Sequence, residues 1–275
     1  MVKGKKISIE FLLITIALLF LGAMIYMPLL ALLAEVVQGG WDVIVKTWHD
    51  RNFQSAVLLT ILTAGIAVPL NTIFGLCTAW VLVRQRFPGR ALVMTILDLP
   101  FSISPVVVGL MLVLLYGKHG WLGQIFDRFN IPIVFNLPGM VLATIFVSLP
   151  FVAREVMPIL EEVGTAEEEA AKTLGASGWQ TFWLVTVPNI KWGILYGVLL
   201  TNARAMGEFG AVSVLSGNIL GKTQTLPLFI EEVYTNYQTG EAFAASLVLA
   251  MLALVTLVLK EWLSQKTGSG HRRIH

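Results

Sequence analysis

The sequence is short of charge, of cysteine and of histidine, and each shortage excludes a class of protein. Only 13% of the 275 residues are Asp, Glu, Lys or Arg, against about 25% in an ordinary soluble domain. The hydrophobic fraction is 56% and the mean hydropathy +0.77. A soluble fold of this size cannot hide so much apolar surface, since even a large domain buries only roughly 75% of what its unfolded chain exposes. The chain is therefore read as a membrane protein. Its one cysteine, Cys77, rules out an intrachain disulfide, and its place in an apolar run predicts a buried, inert thiol. There are four histidines, with no His/Cys ligand cluster, no nucleophile elbow and no H-E-x-x-H pattern, so neither a metal site nor a catalytic residue is expected. The net charge of +2 carries no message about nucleic acid. Charges are confined to short segments between long apolar runs, where they act as topology markers.

What is present is a set of long apolar runs. A spanning helix needs roughly 20 mostly apolar residues, and six runs qualify: 11–33, 56–83, 91–116, 131–153, 192–215 and 242–259. Lys3, Lys5 and Lys6 precede the first run, as they would a secretory signal. The run exceeds the about 7–15 apolar residues of such a signal and no A-x-A site follows it, so it is read as an uncleaved span. Basic residues near span ends stay on the cytoplasmic side. Thirteen Lys and Arg fall in the termini and the even-numbered connections, five in the odd-numbered ones, and Arg204 lies inside a span. Both termini are thereby predicted to be cytoplasmic. The tail over 264–275, ending in His271 to His275, is read as flexible and without function.

One cytoplasmic connection is neither span nor ordinary loop. From Arg154 to Lys191 the chain carries six glutamates, and a connection of that length without its own structure is uncommon. Thr165 and Glu168 have capping-box spacing and predict a helix through Glu169, Ala170, Ala171 and Leu174. Gly175 stands where a left-handed terminator is wanted. Ser177 and Gln180 repeat the capping spacing, a second short helix follows through Trp179, Phe182 and Leu184, and Pro188 is expected to stop it. The result is a helix-glycine-helix elbow over 161–188. It is either an interfacial helix resting on lipid or a projection for a partner's groove. Its acidic first half disfavours anionic lipid, and a capped, rigid projection lowers the ordering cost of docking.

Here the residues carry a resemblance. Glu169-Ala170-Ala171, Gly175 after three more residues and then Val185-Thr186-Val187-Pro188 resemble the EAA loop of ABC importer permeases. Val185 and Val187 stand where that family has Ile and Leu. Asn202-Ala203-Arg204-Ala205-Met206-Gly207-Glu208-Phe209-Gly210-Ala211 is similar to the fifth-span signature of sulfate, molybdate and tungstate permeases. Leu97-Asp98-Leu99-Pro100-Phe101 with Ser104-Pro105-Val106-Val107-Val108-Gly109 is similar to their third-span signature. Leu200-Thr201-Asn202-Ala203-Arg204 and Ala211-Val212-Ser213-Val214 resemble the W-type rather than the T-type subunit of sulfate/thiosulfate permeases. The resemblance implies an all-α, six-span, type I ABC importer permease of the bacterial inner membrane, its core over 56–263 and flanked by 1–55 and 264–275. It also implies docking of an ATPase on Glu169, Ala170, Ala171 and Gly175. The implied partners are a T-type permease in a heterodimer, two ATP-binding cassette subunits that use ATP and Mg, and an extracytoplasmic sulfate-binding protein. This chain would then bind no cofactor and catalyse nothing itself. Molybdate or tungstate as the cargo, and an ion-coupled secondary transporter, remain the alternatives.

Three ionisable residues lie at membrane depth, where each is a functional candidate because the burial is costly. Arg204 and Glu208, four apart, share a helical face and can pair. They either lock the fifth span to its neighbours or present positive potential, moderated by Glu208, to a passing dianion. Asp98 is read as a satisfied residue near a span end, capping a broken helix. Pro100 and Pro105 each remove a backbone donor and interrupt the third span. Ser102 and Ser104 in that interruption either donate hydroxyls to an oxyanion or satisfy freed carbonyls. Gly193, Gly197, Thr201 and Ala205 recur every four residues and form a face for close helix packing. Gly217 to Thr223 reads G-x-x-x-G-K-T, one residue short of a phosphate loop, and is taken as coincidence.

Overall fold

The computed structural model describes residues 3–268, so the 271–275 tail lies outside the described residues. Those residues are helical, with no strand among them. In order they form α1 (Lys3–His49), α2 (Arg51–Arg84), α3 (Arg90–Ser102), α4 (Pro105–Tyr116), α5 (Gly123–Arg128), α6 (Leu137–Val163), α7 (Ala166–Thr173) and α8 (Gly178–Thr181). A π turn (Phe182–Thr186), α9 (Val187–Met206), α10 (Gly210–Ser216), α11 (Leu226–Thr235) and α12 (Thr239–Gly268) complete the chain.

The scaffold is α6, gripped by α2 and α9. Water-driven burial does not hold helices together in lipid, so close backbone approach matters more. Glycines permit it here. A Cβ at Gly75 of α2 would lie 2.7 Å from Val152 Cβ, and one at Gly197 of α9 would lie 2.8 Å from Val152 Cα. A Cβ at Gly193 would lie 2.8 Å from Ile159 Cδ1 and 3.1 Å from Glu155 O. The same seam carries a polar tie: the Asn71 amide donates to Ser148 Oγ at 2.8 Å and to Ile145 O at 3.2 Å. Leu82, Val152, Val156, Leu160 and Ile190 close one end of this core, and Met140, Ala211, Val212 and Leu215 close the other.

Among the described residues five long helices have the length and apolarity of spans, and the pair α3 and α4, bent by 111°, makes a sixth. Three of the expected spans differ in form. The first continues to His49, with a non-helical residue at Gly40 (φ 77°). The fourth starts at Leu137 rather than 131 and runs beyond 153 to Val163, so Arg154 lies inside α6 and not in a loop. Charge ends an apolar run but does not end a helix whose polar side chains find partners. The fifth is two helices, because α9 stops at Met206 and α10 starts at Gly210. Pro188 does not stop the preceding helix: it occupies the first turn of α9, and Val187 N–H bonds back to Phe182 O across the π turn. That wider turn absorbs the proline's missing donor. Cys77, expected to be buried, is exposed on α2, because the buried stripe of that helix passes through Asn71, Gly75, Leu76 and Ala79.

Candidate functional site

The elbow is built from α7, a glycine turn and α8. Glu167, Glu168 and Glu169 occupy the first turn of α7, where carboxylates complement the positive end of the helix dipole. The helix ends in a Schellman motif: Ala176 N–H bonds to Ala171 O and Gly175 N–H to Lys172 O, each at 3.0 Å. Gly175 takes φ +89°, a value that carries little steric cost only without a Cβ. Ser177 and Gln180 form the reciprocal capping box that starts α8.

The Thr165–Glu168 capping box does not form. Thr165 has no side-chain cap bond, and its hydroxyl donates instead to Glu169 Oε1 at 2.7 Å. Glu168 turns inward to Arg84, the last residue of α2. Arg84 Nε donates to both Glu168 oxygens, at 3.1 and 3.2 Å, and Nη2 to Oε1 at 3.0 Å. The guanidinium also donates to Leu160 O at 2.9 Å and Gly164 O at 2.6 Å. Thr186 Oγ1 completes the cluster with a 2.9 Å bond to Glu168 Oε1. The Arg84 and Glu168 side chains are only 7% and 10% exposed. A charge-assisted bidentate pair outweighs the single amide bond that a cap would offer. Beside the pair is a cavity of about 540 Å³ lined by Cys77, Trp80, Trp179 and Phe182 among others.

The outer surface of the elbow is open. Glu169, Ala170 and Gly175 are exposed and Ala171 is partly so. Leu174 and Trp179 beside them are 88% and 72% exposed, large apolar groups suited to a protein groove.

Between the third and fifth spans the structure brings two helix breaks together. The third span bends at Ile103 and Ser104, with Pro100 inside α3 and Pro105 in the first turn of α4. The fifth breaks between Met206 and Gly210. A Cβ at Gly210 would lie 2.9 Å from Pro105 Cβ, and one at Gly109 would lie 2.8 Å from Ala211 O. Glu208 sits in the second break, 3% exposed. Its Oε1 accepts from Ala211 N–H at 2.9 Å, and its Oε2 lies 2.6 Å from Arg204 Nη1, an ion pair without hydrogen-bond alignment. The Arg204 side chain is 32% exposed. Ser102 and Ser104 are exposed, and neither hydroxyl bonds to a carbonyl freed by the break. Asp98 does not cap a broken helix. It lies within α3 and pairs with Arg154 of α6, whose Nε donates to Oδ1 at 2.9 Å and whose Nη2 contacts Oδ2.

Gly193 and Gly197 lie in the α6–α9 seam described above, and Thr201 and Ala205 continue the same buried face. The G-x-x-x-G-K-T segment closes on itself, with Thr223 Oγ1 donating to Ser216 O at 2.7 Å. Among the described residues no group of three His, Cys, Asp or Glu is placed to hold a metal ion.

Sequence reasoning missed Arg84, Glu168 as its partner, and Arg154. All three were visible as charges and had been assigned to topology or capping. Their partners lie 84 and 56 positions away, so no local spacing links them. The available signal was that Arg84 directly abuts a long apolar run, where an arginine without a partner would be costly.

Residues 71–269 match the family described as binding-protein-dependent transport system inner membrane component. The chain is 62% identical over 264 residues to the sulfate transport system permease protein CysW of Synechocystis sp., covering 96% of each. It is 38% identical over 241 residues to the sulfate transport system permease protein CysT of Escherichia coli, covering 87% of each. Among solved structures, a bacterial ABC transporter involved in import of the acidic polysaccharide alginate has the same fold, with TM-score 0.79 at 19% identity over 95% of this chain and 98% of that one. This chain, a multi-pass membrane protein, belongs to the family of binding-protein-dependent transport system inner membrane components.

Proposed function

We propose that this chain is the membrane-spanning permease subunit of an ATP-driven importer of sulfate and thiosulfate. The observation that carries the reading is the pre-ordered elbow, whose Glu169, Ala170, Ala171 and Gly175 border exposed Leu174 and Trp179. That surface is the docking site for an ATP-binding cassette subunit. ATP and Mg bind to that partner, and this chain holds neither. The choice of sulfate follows from the similarity to CysW, with molybdate or tungstate as the competing cargo. The lower identity to CysT supports a heterodimer in which this chain is the W-type half. Two ATPase subunits and an extracytoplasmic sulfate-binding protein complete the assembly. The permease core spans 56–263, both termini face the cytoplasm, and the membrane is the bacterial inner membrane.

In this mechanism ATP binding closes the paired ATPases and displaces the elbow. The helices joined to it tilt, and the meeting point of the two breaks opens to alternate sides. Arg204, one-third exposed, offers positive potential to the dianion. Glu208 moderates it, so that the ion leaves as readily as it enters. Ser102 and Ser104 supply hydroxyls at the other break.

The test is labelled sulfate uptake by cells carrying the full transporter. Gly175→Val places a β-branched residue at a φ that it resists and is expected to leave the protein in the membrane while uptake falls by roughly tenfold or more, the scale of a lost coupling of 1–3 kcal/mol. Excess thiosulfate is expected to compete with sulfate. Uptake that persists without the ATPase subunit, or after Gly175→Val, overturns the coupling role, and competition by molybdate in preference to thiosulfate overturns the assigned cargo.

A further inference from the structure

We propose that the buried Arg84–Glu168 pair is the strut through which the elbow moves the membrane helices, with Arg84 as a positioning residue for coupling. The proposal rests on the docking reading of the elbow but concerns its other, inward face. Glu169 points outward from α7, while its neighbour Glu168 points into the protein. The two adjacent carboxylates thereby divide the labour between partner and bundle.

Three observations carry the inference. First, the Arg84 guanidinium reaches three chain segments at once: Glu168 on α7, and the carbonyls of Leu160 near the end of α6 and Gly164 just beyond it. Thr186, on the π turn that leads into α9, binds the same carboxylate. One cluster therefore joins the elbow-proximal ends of the three helices that form the scaffold, α2, α6 and α9. Second, the elbow is not packed solidly against α2. The 540 Å³ cavity separates them on one side, and Trp80 meets Phe182 only edge-on, with ring centroids 6.1 Å apart. A directional, charged connection beside a void carries displacement that soft apolar contact would absorb. Third, the two side chains are only 7% and 10% exposed, so salt and solvent weaken the pair less than they weaken surface pairs. A planar fork satisfied by four acceptor oxygens is also rigid in a way that a single-point ammonium is not.

The experiment uses the complete transporter in membrane vesicles, with Cys77→Ser as background and a photoactivatable maleimide attached at Thr173→Cys, an exposed elbow position, to cross-link the docked ATPase. It reads sulfate taken up, ATP hydrolysed and cross-link yield. Arg84→Met keeps the aliphatic stem and removes every donor. The expected result is an undiminished cross-link and continuing ATP hydrolysis, with sulfate transported per ATP reduced roughly 5- to 150-fold, the usual span of a coupling between sites. Arg84→Lys should fall between Arg84→Met and the parent. Glu168→Gln tests the same connection from the elbow side, and it keeps an acceptor for Thr186 should the arginine variant not reach the membrane. An unchanged ratio of sulfate to ATP in either Arg84→Met or Glu168→Gln overturns the strut. So does uptake that falls only in proportion to the amount of assembled complex, which would mark a purely structural pair. A Thr173→Cys parent that transports sulfate without cross-linking overturns the docking reading, and the strut with it.

Discussion

Two arginine–glutamate pairs, one at the elbow and one at the break in the fifth span, share the same chemistry and differ in how they are enclosed. Arg84 and Glu168 are both shielded, at 7% and 10% exposure, and the guanidinium spends its donors on four oxygens of its own chain. Arg204 and Glu208 are unequal: the carboxylate is 2% exposed and the arginine 32%. The first pair is closed and holds helices to one another. The second is closed only on the acidic side, where Glu208 also takes the amide of Ala211, and leaves its cation facing outward. An ion pair within a membrane protein is therefore not one kind of feature, and the fate of the spare donors decides whether it is internal or presented.

Variants that act first on both pairs and then on one at a time sharpen this contrast. The largest effect is expected from Gly197→Leu, which attacks the α6–α9 seam on which both pairs depend. Its Cβ would lie 2.8 Å from the Val152 backbone, and overpacking of this kind costs about 1–3 kcal/mol or more. Co-purification of the permease with its partners is expected to fail, and normal assembly would mean that the seam yields. Next is Arg204→Ala, which strands the buried Glu208 carboxylate at a cost of about 1–3 kcal/mol, held down because the arginine is itself one-third exposed. Assembly and uptake should both drop. Arg204→Ala with Glu208→Gln removes the stranded charge and should restore assembly but not uptake, whereas restored uptake would reduce this pair to an internal lock like the first. The smallest effect is expected at Cys77, which lines the cavity beside the elbow pair and is exposed. A membrane-permeant maleimide should label it, and Cys77→Ser should leave uptake within about twofold, since a substitution away from buried contacts changes stability by at most roughly 0.5 kcal/mol. Protection from the maleimide would show that another chain covers the cavity.

Much of the elbow was legible because its signals are local. A glycine that must take positive φ and a serine that caps three residues ahead announce themselves within a few positions, and Gly175 and Ser177 adopt those states. Thr165 and Glu168 offered the same kind of signal but were overruled by an arginine 84 positions earlier. In the spans, apolar length located the helices but not their ends, since the first runs on from 33 to His49 and the fourth from 153 to Val163. It did not reveal the break between Met206 and Gly210, since no proline marks it. Arg204 and Glu208 were read as neighbours on one helical face and do meet, although the helix ends between them and Glu208 reaches Arg204 from the break.

The sequence by itself determined that the chain crosses a bilayer repeatedly, that its basic residues gather in alternate connections and where a rigid elbow interrupts the apolar runs. Each of these depends on composition or on spacing within one helical turn. Only the tertiary structure decided which charges are partners and which glycines are contacts. It also brought the breaks at Ser104 and Gly207 to one place. These depend on residues far apart in the chain, brought together by backbones that approach closely enough to leave no space for a side chain at Gly75, Gly193 or Gly197, a condition of three-dimensional packing.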